Sequence, residues 1–163
     1  MGETDRELEL EFAEAMGGFF ESGGVPRMSG RVWAYLLIVD APSVSAADLG
    51  EALGASAGAI SSATTFLQQL GFIDRVRIPG DRRDYYTPHR GAVAELVRSR
   101  LDRLVTVEAL ASEALERFGD RQHARTRLEE VHDVYHWYAR ELPKLHERFL
   151  EEQREAARAT QKG

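Results

Sequence analysis

One stretch of the chain, residues 45–88, constrains the fold more than any other. It reads SAADLGEALGASAGAISSATTFLQQLGFIDRVRIPGDRRDYYTP. Two short helical segments are separated by a glycine turn, and an alternating, β-branched run with the turn PGDR follows them. This order predicts a helix-turn-helix followed by a β-hairpin wing. Such a module most often places one helix in the major groove of DNA.

Local signals set the boundaries of these helices. We expect Ser45 to cap the first helix of the pair, Ser56 to cap the second, and Gly71 to end it in the left-handed conformation. We also expect Ser29 to cap an earlier helix. Near the C-terminus, Pro143 should kink or restart the last helix, because proline cannot donate a backbone hydrogen bond.

Helical stripes of apolar residues flank the central module on both sides. The predicted fold is therefore mainly α with a small β-hairpin wing: a winged helix-turn-helix head and long terminal helices. We expect an N-terminal dimerisation helix and loop (1–28), a DNA-binding head (29–90) and a C-terminal helical region for dimerisation or effector binding (91–163). Long striped helices on so short a chain usually pack against a second copy, so a homodimer is expected.

Composition narrows the class of protein. The 163 residues include no cysteine, which excludes disulfides and zinc–thiolate sites, and no apolar run approaches the roughly 20 residues of a membrane span. The start, MGETDRELELEF, does not resemble a signal peptide, so a cytoplasmic protein without membrane contact is expected. The net charge of −6 argues against a protein that coats nucleic acid indiscriminately.

The charge is unevenly distributed. Residues 1–30 hold seven acidic and two basic side chains, whereas residues 72–90 hold five arginines and three aspartates. A basic edge on an acidic body fits a site-selective DNA-binding protein better than a general one. A cluster of surface salt bridges is the alternative.

The second helix of the pair presents a small, uncharged face to DNA in this interpretation. Ile60, Thr64 (or Ala63), Leu67 and Leu70 share the opposite face and should anchor it. Because this face has no arginine, lysine or asparagine, its selectivity for a DNA sequence would depend on close van der Waals contact, water bridges and DNA shape. The alternative is that small residues only allow close helix packing. The residues predicted to contact DNA from this helix are Ser56, Gly58, Ala59, Ser61, Ser62 and Thr65.

The hairpin carries the positive charge. Gly80 can adopt the positive φ that the turn requires, and Arg82 and Arg83 should project from its tip toward a narrow minor groove. Asp81 can hold an arginine in position, and Arg75 and Arg77 should share the solvent face and meet phosphates. The alternative is an edge hairpin that charge protects from aggregation.

The segment resembles the MarR superfamily of winged-helix regulators. Asp81-Arg82-Arg83 matches that family's Asp-x-Arg wing signature, and GGVPRMSGRVWAYLLIVD (23–40) is similar to the GbsR-type branch; the likeness covers roughly residues 5–115. It implies that Arg83 is the minor-groove arginine with Asp81 as its partner, and that the face from Gly58 to Thr65 is the reader. It also implies homodimers formed through the terminal helices, often regulated by small molecules. The chain departs from the family in lacking a basic residue on the reading helix.

The C-terminal region contains two further groups of residues. His132 and His136 have the i, i+4 spacing of a metal-chelating pair, but no HExxH motif and no obvious third ligand accompany them, so we expect no metal site. Tyr135, Trp137 and Tyr138 could form an effector site, since the GbsR-type likeness implies choline-like ligands for some relatives. A dimer core is the commoner role for aromatics at helical spacing.

The sequence thus predicts a DNA-binding transcriptional regulator, and a repressor rather than an activator. The expected partners are double-stranded DNA, a second copy of the chain and a small-molecule effector. The 56–70 helix would occupy the major groove, and the 79–84 wing the minor groove. No enzyme activity and no cofactor are expected, since Gly-Ala-Ser-Ala-Gly at 54–58 lacks the preceding strand of a nucleophile elbow. The alternative is a winged-helix module that binds a protein.

Overall fold

A computed structural model describes residues 3–160 of the protein. It divides into two compact units, with the boundary between Ala92 and Val93. The predicted fold class is confirmed: the described residues are mainly helical, with a small antiparallel sheet and long C-terminal helices. The elements are α1 (Glu3–Ser22), α2 (Arg27–Ile38), β1 (Val44–Ser45), α3 (Ala46–Leu53), α4 (Ala57–Gln69), β2 (Ile73–Val76), β3 (Tyr85–Pro88), α5 (Ala92–Phe118) and α6 (Gln122–Thr160).

The helix-turn-helix has the boundaries that its sequence predicts. The Ser45 hydroxyl accepts from the Asp48 N–H at 3.2 Å, and the Ser56 hydroxyl accepts from the Ala59 N–H at 3.2 Å, so each serine caps its helix. Gly71 follows α4 with φ 72°, in the left-handed region. The prediction for Ser29 is wrong: α2 begins at Arg27, and Ser29 lies buried in its first turn, because Pro26 already has a φ of −55° that suits a helix start.

The wing is a sheet of three strands in the order β1-β3-β2, all antiparallel. Val44 lies opposite Tyr86, and Ser45 lies opposite Tyr85, so β1 adds a third strand to the predicted hairpin. Because β3 is bonded on both sides, β2 is an edge strand with exposed side chains from Asp74 to Val76. The sheet therefore has one exposed edge, formed by β2, and its other edge strand, β1, continues directly into α3.

The core of the first unit brings three aromatic rings together. Trp33 and Phe72 meet edge to face with centroids 5.3 Å apart, and Phe20 lies 5.5 Å from Trp33. These rings connect α1, α2 and the residue that follows Gly71. Buried aliphatic residues complete this core; the largest of them with almost no exposed surface are Leu49, Ile60, Leu67 and Val32. The helix-turn-helix is thereby fixed to the N-terminal helices by apolar burial.

Helices α1 and α2 cross closely at Gly30. A Cβ atom on Gly30 would lie 2.7 Å from the Met16 carbonyl oxygen and 2.8 Å from the Phe20 Cβ. Since backbone atoms cannot move aside cheaply, the crossing requires glycine at this position.

Replacing Gly30 with alanine should therefore destabilise the protein, by about 2 kcal/mol, through overpacking. Gly18 of α1 is the matched control, because a Cβ there meets nothing within 4 Å. Gly18→Ala should raise the free energy of unfolding by about 0.5–1 kcal/mol through helix propensity. Urea unfolding measures both changes in the free energy of unfolding. If the two variants changed this free energy in the same direction, the close crossing at Gly30 would be contradicted.

The second unit consists of α5 and α6. Of the two outcomes predicted for Pro143, a kink or a restart, the restart does not occur, because α6 continues through Pro143; proline removes one backbone hydrogen bond, but its φ is compatible with a helix. Among residues 3–160, no helix is long and apolar enough to cross a membrane.

Candidate nucleic-acid interface

Helix α4 has one buried face and one exposed face. Ile60, Thr64 and Leu67 are buried, as predicted, and the Thr64 hydroxyl donates to the Ile60 carbonyl oxygen at 2.9 Å. Leu70 differs from the prediction, because half of it is exposed at the end of the helix. Leu70 is the C-cap residue of α4 and still has helical dihedral angles, and its backbone N–H donates to the Phe66 carbonyl oxygen at 3.1 Å.

The exposed face of α4 carries the residues predicted to contact DNA. Five of these six are exposed and Ala59 is partly exposed: Ser56, Gly58, Ala59, Ser61, Ser62 and Thr65. A Cβ atom on Gly58 would meet nothing within 4 Å, so the surface is open there. The face is small and uncharged, and its hydroxyl groups can donate to or accept from phosphates and base edges.

The wing tip is a tight turn at Pro79-Gly80. The Asp81 N–H donates to the Ile78 carbonyl oxygen at 3.0 Å, and Gly80 has φ 85°. Proline followed by a residue with positive φ is the pattern of a type II turn, which explains why glycine occupies this position. The turn places residues 81–83 immediately after the tip.

The Asp81 carboxylate organises the wing tip. The Arg83 backbone N–H donates to its Oδ1 at 2.9 Å, the Arg83 Nη2 donates to its Oδ2 at 2.7 Å, and the Tyr85 hydroxyl donates to its Oδ2 at 2.8 Å. The Arg83 guanidinium also lies over the Tyr85 ring, 5.2 Å from its centroid. Asp81 and Arg83, which the sequence pairs, are thus in direct contact, and the guanidinium is held on two sides.

These contacts change the acidity of all three groups. The hydrogen bonds from the Arg83 side chain, then those from its backbone N–H and from Tyr85, hold the pKa of the Asp81 carboxyl well below its usual range. The same pair raises the pKa of Arg83, and the hydrogen bond to Asp81 raises that of Tyr85. The Asp81–Arg83 pair therefore stays fully ionised at neutral pH.

The other wing arginines are exposed and less constrained. Arg75 lies on β2, with its Nη1 3.4 Å from the Asp84 carboxylate. Arg77 follows the end of β2, so the predicted strand alternation that would align it with Arg75 stops one residue earlier. Arg82 is exposed beside the turn. These side chains can reach toward phosphates without losing a strong ion pair.

The C-terminal candidates lie in the second unit. His132 and His136 stack with ring centroids 5.3 Å apart, and Glu108 of α5 lies beside both. Trp137 and Tyr138 meet edge to face at 5.0 Å and are about half exposed, while Tyr135 is partly exposed.

Two residues in these clusters escaped the sequence reasoning. Tyr85 could have been found, because it lies two residues after Arg83, and alternate residues of an extended chain share a side. Glu108 could not: it lies 28 residues before His136 on a different helix, and only the packing of α5 against α6 brings them together.

Comparison with known proteins decides the family. The MarR family model matches residues 24–84, which include the helix-turn-helix and the Asp81-Arg83 pair, and the model of MmpR5-like MarR family transcriptional regulators matches residues 91–154. The HTH-type transcriptional regulator MmpR5 of Mycobacterium tuberculosis (strain ATCC 25618 / H37Rv) is 39% identical over 126 residues, which cover 77% of this chain and 76% of that protein. The chain belongs to the MarR family.

A solved structure agrees with this assignment. The crystal structure of a transcriptional regulator aligns with a TM-score of 0.65 at 35% identity, covering 88% of this chain and 98% of the other. As an MmpR5-like member of the MarR family, the chain is a DNA-binding transcriptional regulator, and the family is one of regulators rather than enzymes. The predicted MarR resemblance is confirmed. The matched subgroup is the MmpR5-like one, and the GbsR-type likeness is not shown.

Proposed function

We propose that the chain acts as a homodimeric repressor that reads a pseudo-palindromic operator, with α4 in the major groove and the 79–84 wing in the minor groove. The observation that carries the groove assignment is the wing tip, where Asp81 and Tyr85 hold the Arg83 guanidinium at the end of a tight turn. An arginine held in advance loses less conformational freedom on entering a narrow groove.

The reading face of α4 supports the other half of the assignment. Because its exposed side chains are small, the helix can approach the base edges closely, and Gly58 leaves room at its first turn. With no basic residue on this face, we expect selectivity to come from contacts with thymine methyls, from water bridges and from DNA shape.

The homodimer is supported by apolar side chains that a single chain leaves exposed. On α6, Val131, Val134, Trp137 and Tyr138 are each between 42% and 51% exposed. A contiguous apolar surface of this kind marks an interface, and a second copy covers it symmetrically. We therefore assign Tyr135, Trp137 and Tyr138 to the dimer core, since Trp137 and Tyr138 meet edge to face and are each about half exposed in the single chain.

The dimer suggests how such a protein would be regulated in the cytoplasm. Two heads would contact successive major grooves, about 34 Å apart, and occupancy of an operator that overlaps a promoter would block transcription. A small-molecule effector that binds one spacing of the heads better than another would change operator affinity. A GbsR-type effector of the choline class is one candidate ligand.

The salt dependence of operator binding tests this function. If Arg75, Arg77 and Arg82 of both chains contact phosphates, log K should fall with log salt concentration with a slope of about −5. Fluorescence anisotropy with labelled operator, at two chains per duplex, measures the slope. Arg77→Ala should reduce its magnitude by about 2, whereas Arg100→Ala on α5 should leave it unchanged.

The alternative, a winged-helix module that binds a protein, gives a different result. A mostly apolar protein interface is insensitive to salt, so specific DNA binding would be absent or its slope near zero. The uncharged face of α4 and the acidic body of the chain favour this alternative. The exposed, positioned arginines of the wing favour DNA.

A further inference from the structure

Glu108, His132 and His136 form a compact cluster between α5 and α6. The Glu108 Oε1 lies 3.3 Å from the His136 Nδ1 and 3.7 Å from the His132 Nε2. One ligand atom from each residue lies within 4.8 Å of the other two. Glu108 and His132 keep only about a quarter of their side-chain surface exposed, so the cluster is partly shielded from water.

The surroundings orient the cluster for metal binding. The His132 Nδ1 lies 3.2 Å from the Asp133 carboxylate, a contact that favours the proton on Nδ1 and leaves Nε2, which faces Glu108, as the nitrogen that can bind a metal. The Ser112 hydroxyl donates to the Glu108 Oε1 at 3.3 Å and holds that carboxylate in place. A histidine whose other nitrogen donates to a carboxylate is the usual arrangement of a metal ligand.

We propose that Glu108, His132 and His136 bind a divalent transition-metal ion, with Zn²⁺ as the preferred ion. Two imidazoles and one carboxylate suit zinc, whereas magnesium and calcium require oxygen ligands. Ligands about 2.0–2.1 Å from a tetrahedral zinc lie about 3.4 Å apart, close to the two distances from Glu108. The three ligand atoms lie within 4.8 Å of one another, so binding would draw them together to this spacing, and water would take the fourth position.

The ion would connect α5 to α6 within the second unit. Because its ligands come from both helices, the ion would stabilise the packing of α5 against α6. Because a ligand that binds only the folded state stabilises it, zinc should raise the melting temperature of the chain in proportion to the logarithm of its concentration.

Isothermal titration of the metal-free full-length chain with ZnCl₂ tests the site. We expect one Zn²⁺ per chain, bound at least about tenfold more weakly by Glu108→Gln, His132→Ala and His136→Ala. Asp133→Asn should weaken binding about tenfold through the orientation of His132. His123→Ala, an exposed histidine elsewhere on α6, should bind as the unchanged chain does.

A Co²⁺ titration provides a second readout. Visible absorption of a four-coordinate Co²⁺ complex should appear with the unchanged chain and with His123→Ala, and should be lost with His136→Ala. Circular dichroism confirms that each variant stays helical; Glu108→Gln keeps the size of the side chain and serves if a histidine variant unfolds. Equal zinc affinity across Glu108→Gln, His136→Ala and His123→Ala would overturn the site.

Discussion

Replacing Arg83 with alanine should weaken operator binding by about 30-fold, which corresponds to about 2 kcal/mol for the loss of a positioned groove arginine. The side chain is more than half exposed and its guanidinium is held by Asp81 and Tyr85, so the variant removes a contact that the free protein already presents. The fold should be unaffected because Arg83 itself is exposed and the Tyr85 hydroxyl keeps its hydrogen bond to Asp81. Gel-shift titration measures the affinity, and an unchanged value would show that the wing does not contact DNA through Arg83.

The variant Asp81→Asn distinguishes two roles of Asp81: positioning the Arg83 side chain, or only adding negative charge near the DNA. Removing a negative charge near DNA should strengthen binding if electrostatics alone matters. If Asp81 positions Arg83, the variant should instead weaken binding, by about tenfold, because asparagine replaces a charge-assisted pair with weaker hydrogen bonds. Asp84→Asn is the matched control, because the Asp84 carboxylate lies 3.4 Å from the Arg75 Nη1 on β2 and so belongs to a different ion pair from Arg83. It should leave affinity unchanged or raise it, and tighter binding by Asp81→Asn would exclude the positioning role.

Replacing Leu67 with alanine should lower the free energy of unfolding by about 3 kcal/mol. The side chain is fully buried on the inner face of α4, and its loss leaves a cavity beside the core of the head. Leu70→Ala is the matched comparison three residues later. Leu70 is 50% exposed, so this change should cost less than about 1 kcal/mol.

Urea denaturation of the two variants tests how α4 is seated. The sequence places both leucines on one anchoring face, whereas the structure buries only the first. Equal destabilisation by the two changes would mean that Leu70 anchors α4 as well, as the sequence predicts. A small effect of Leu67→Ala would mean that α4 does not pack on the core as described.

Local chemistry explains why so much of the head could be predicted. Ser45, Ser56 and Gly71 act through hydrogen bonds and backbone angles within their own turn, so their roles are legible in the sequence. The contact of Asp81 with Arg83 spans only two residues and is equally local.

Features that depend on tertiary packing could not be predicted. The strand Val44–Ser45 is too short to show alternation and exists only because β3 pairs with it. Pro143 usually marks the end of a helix, yet α6 continues through it. Glu108 carries no local sign of its histidine partners, because the crossing of two helices creates that cluster.

Ser45 belongs to two elements at once. Its backbone pairs with Tyr85 in the wing sheet, while its hydroxyl caps α3, the first helix of the DNA-binding pair. Because Ser45 joins the two elements, the wing cannot tilt without moving α3 as well. We expect each head to bind DNA as a rigid body. A bound effector would then change the position of the head and leave its internal structure unchanged.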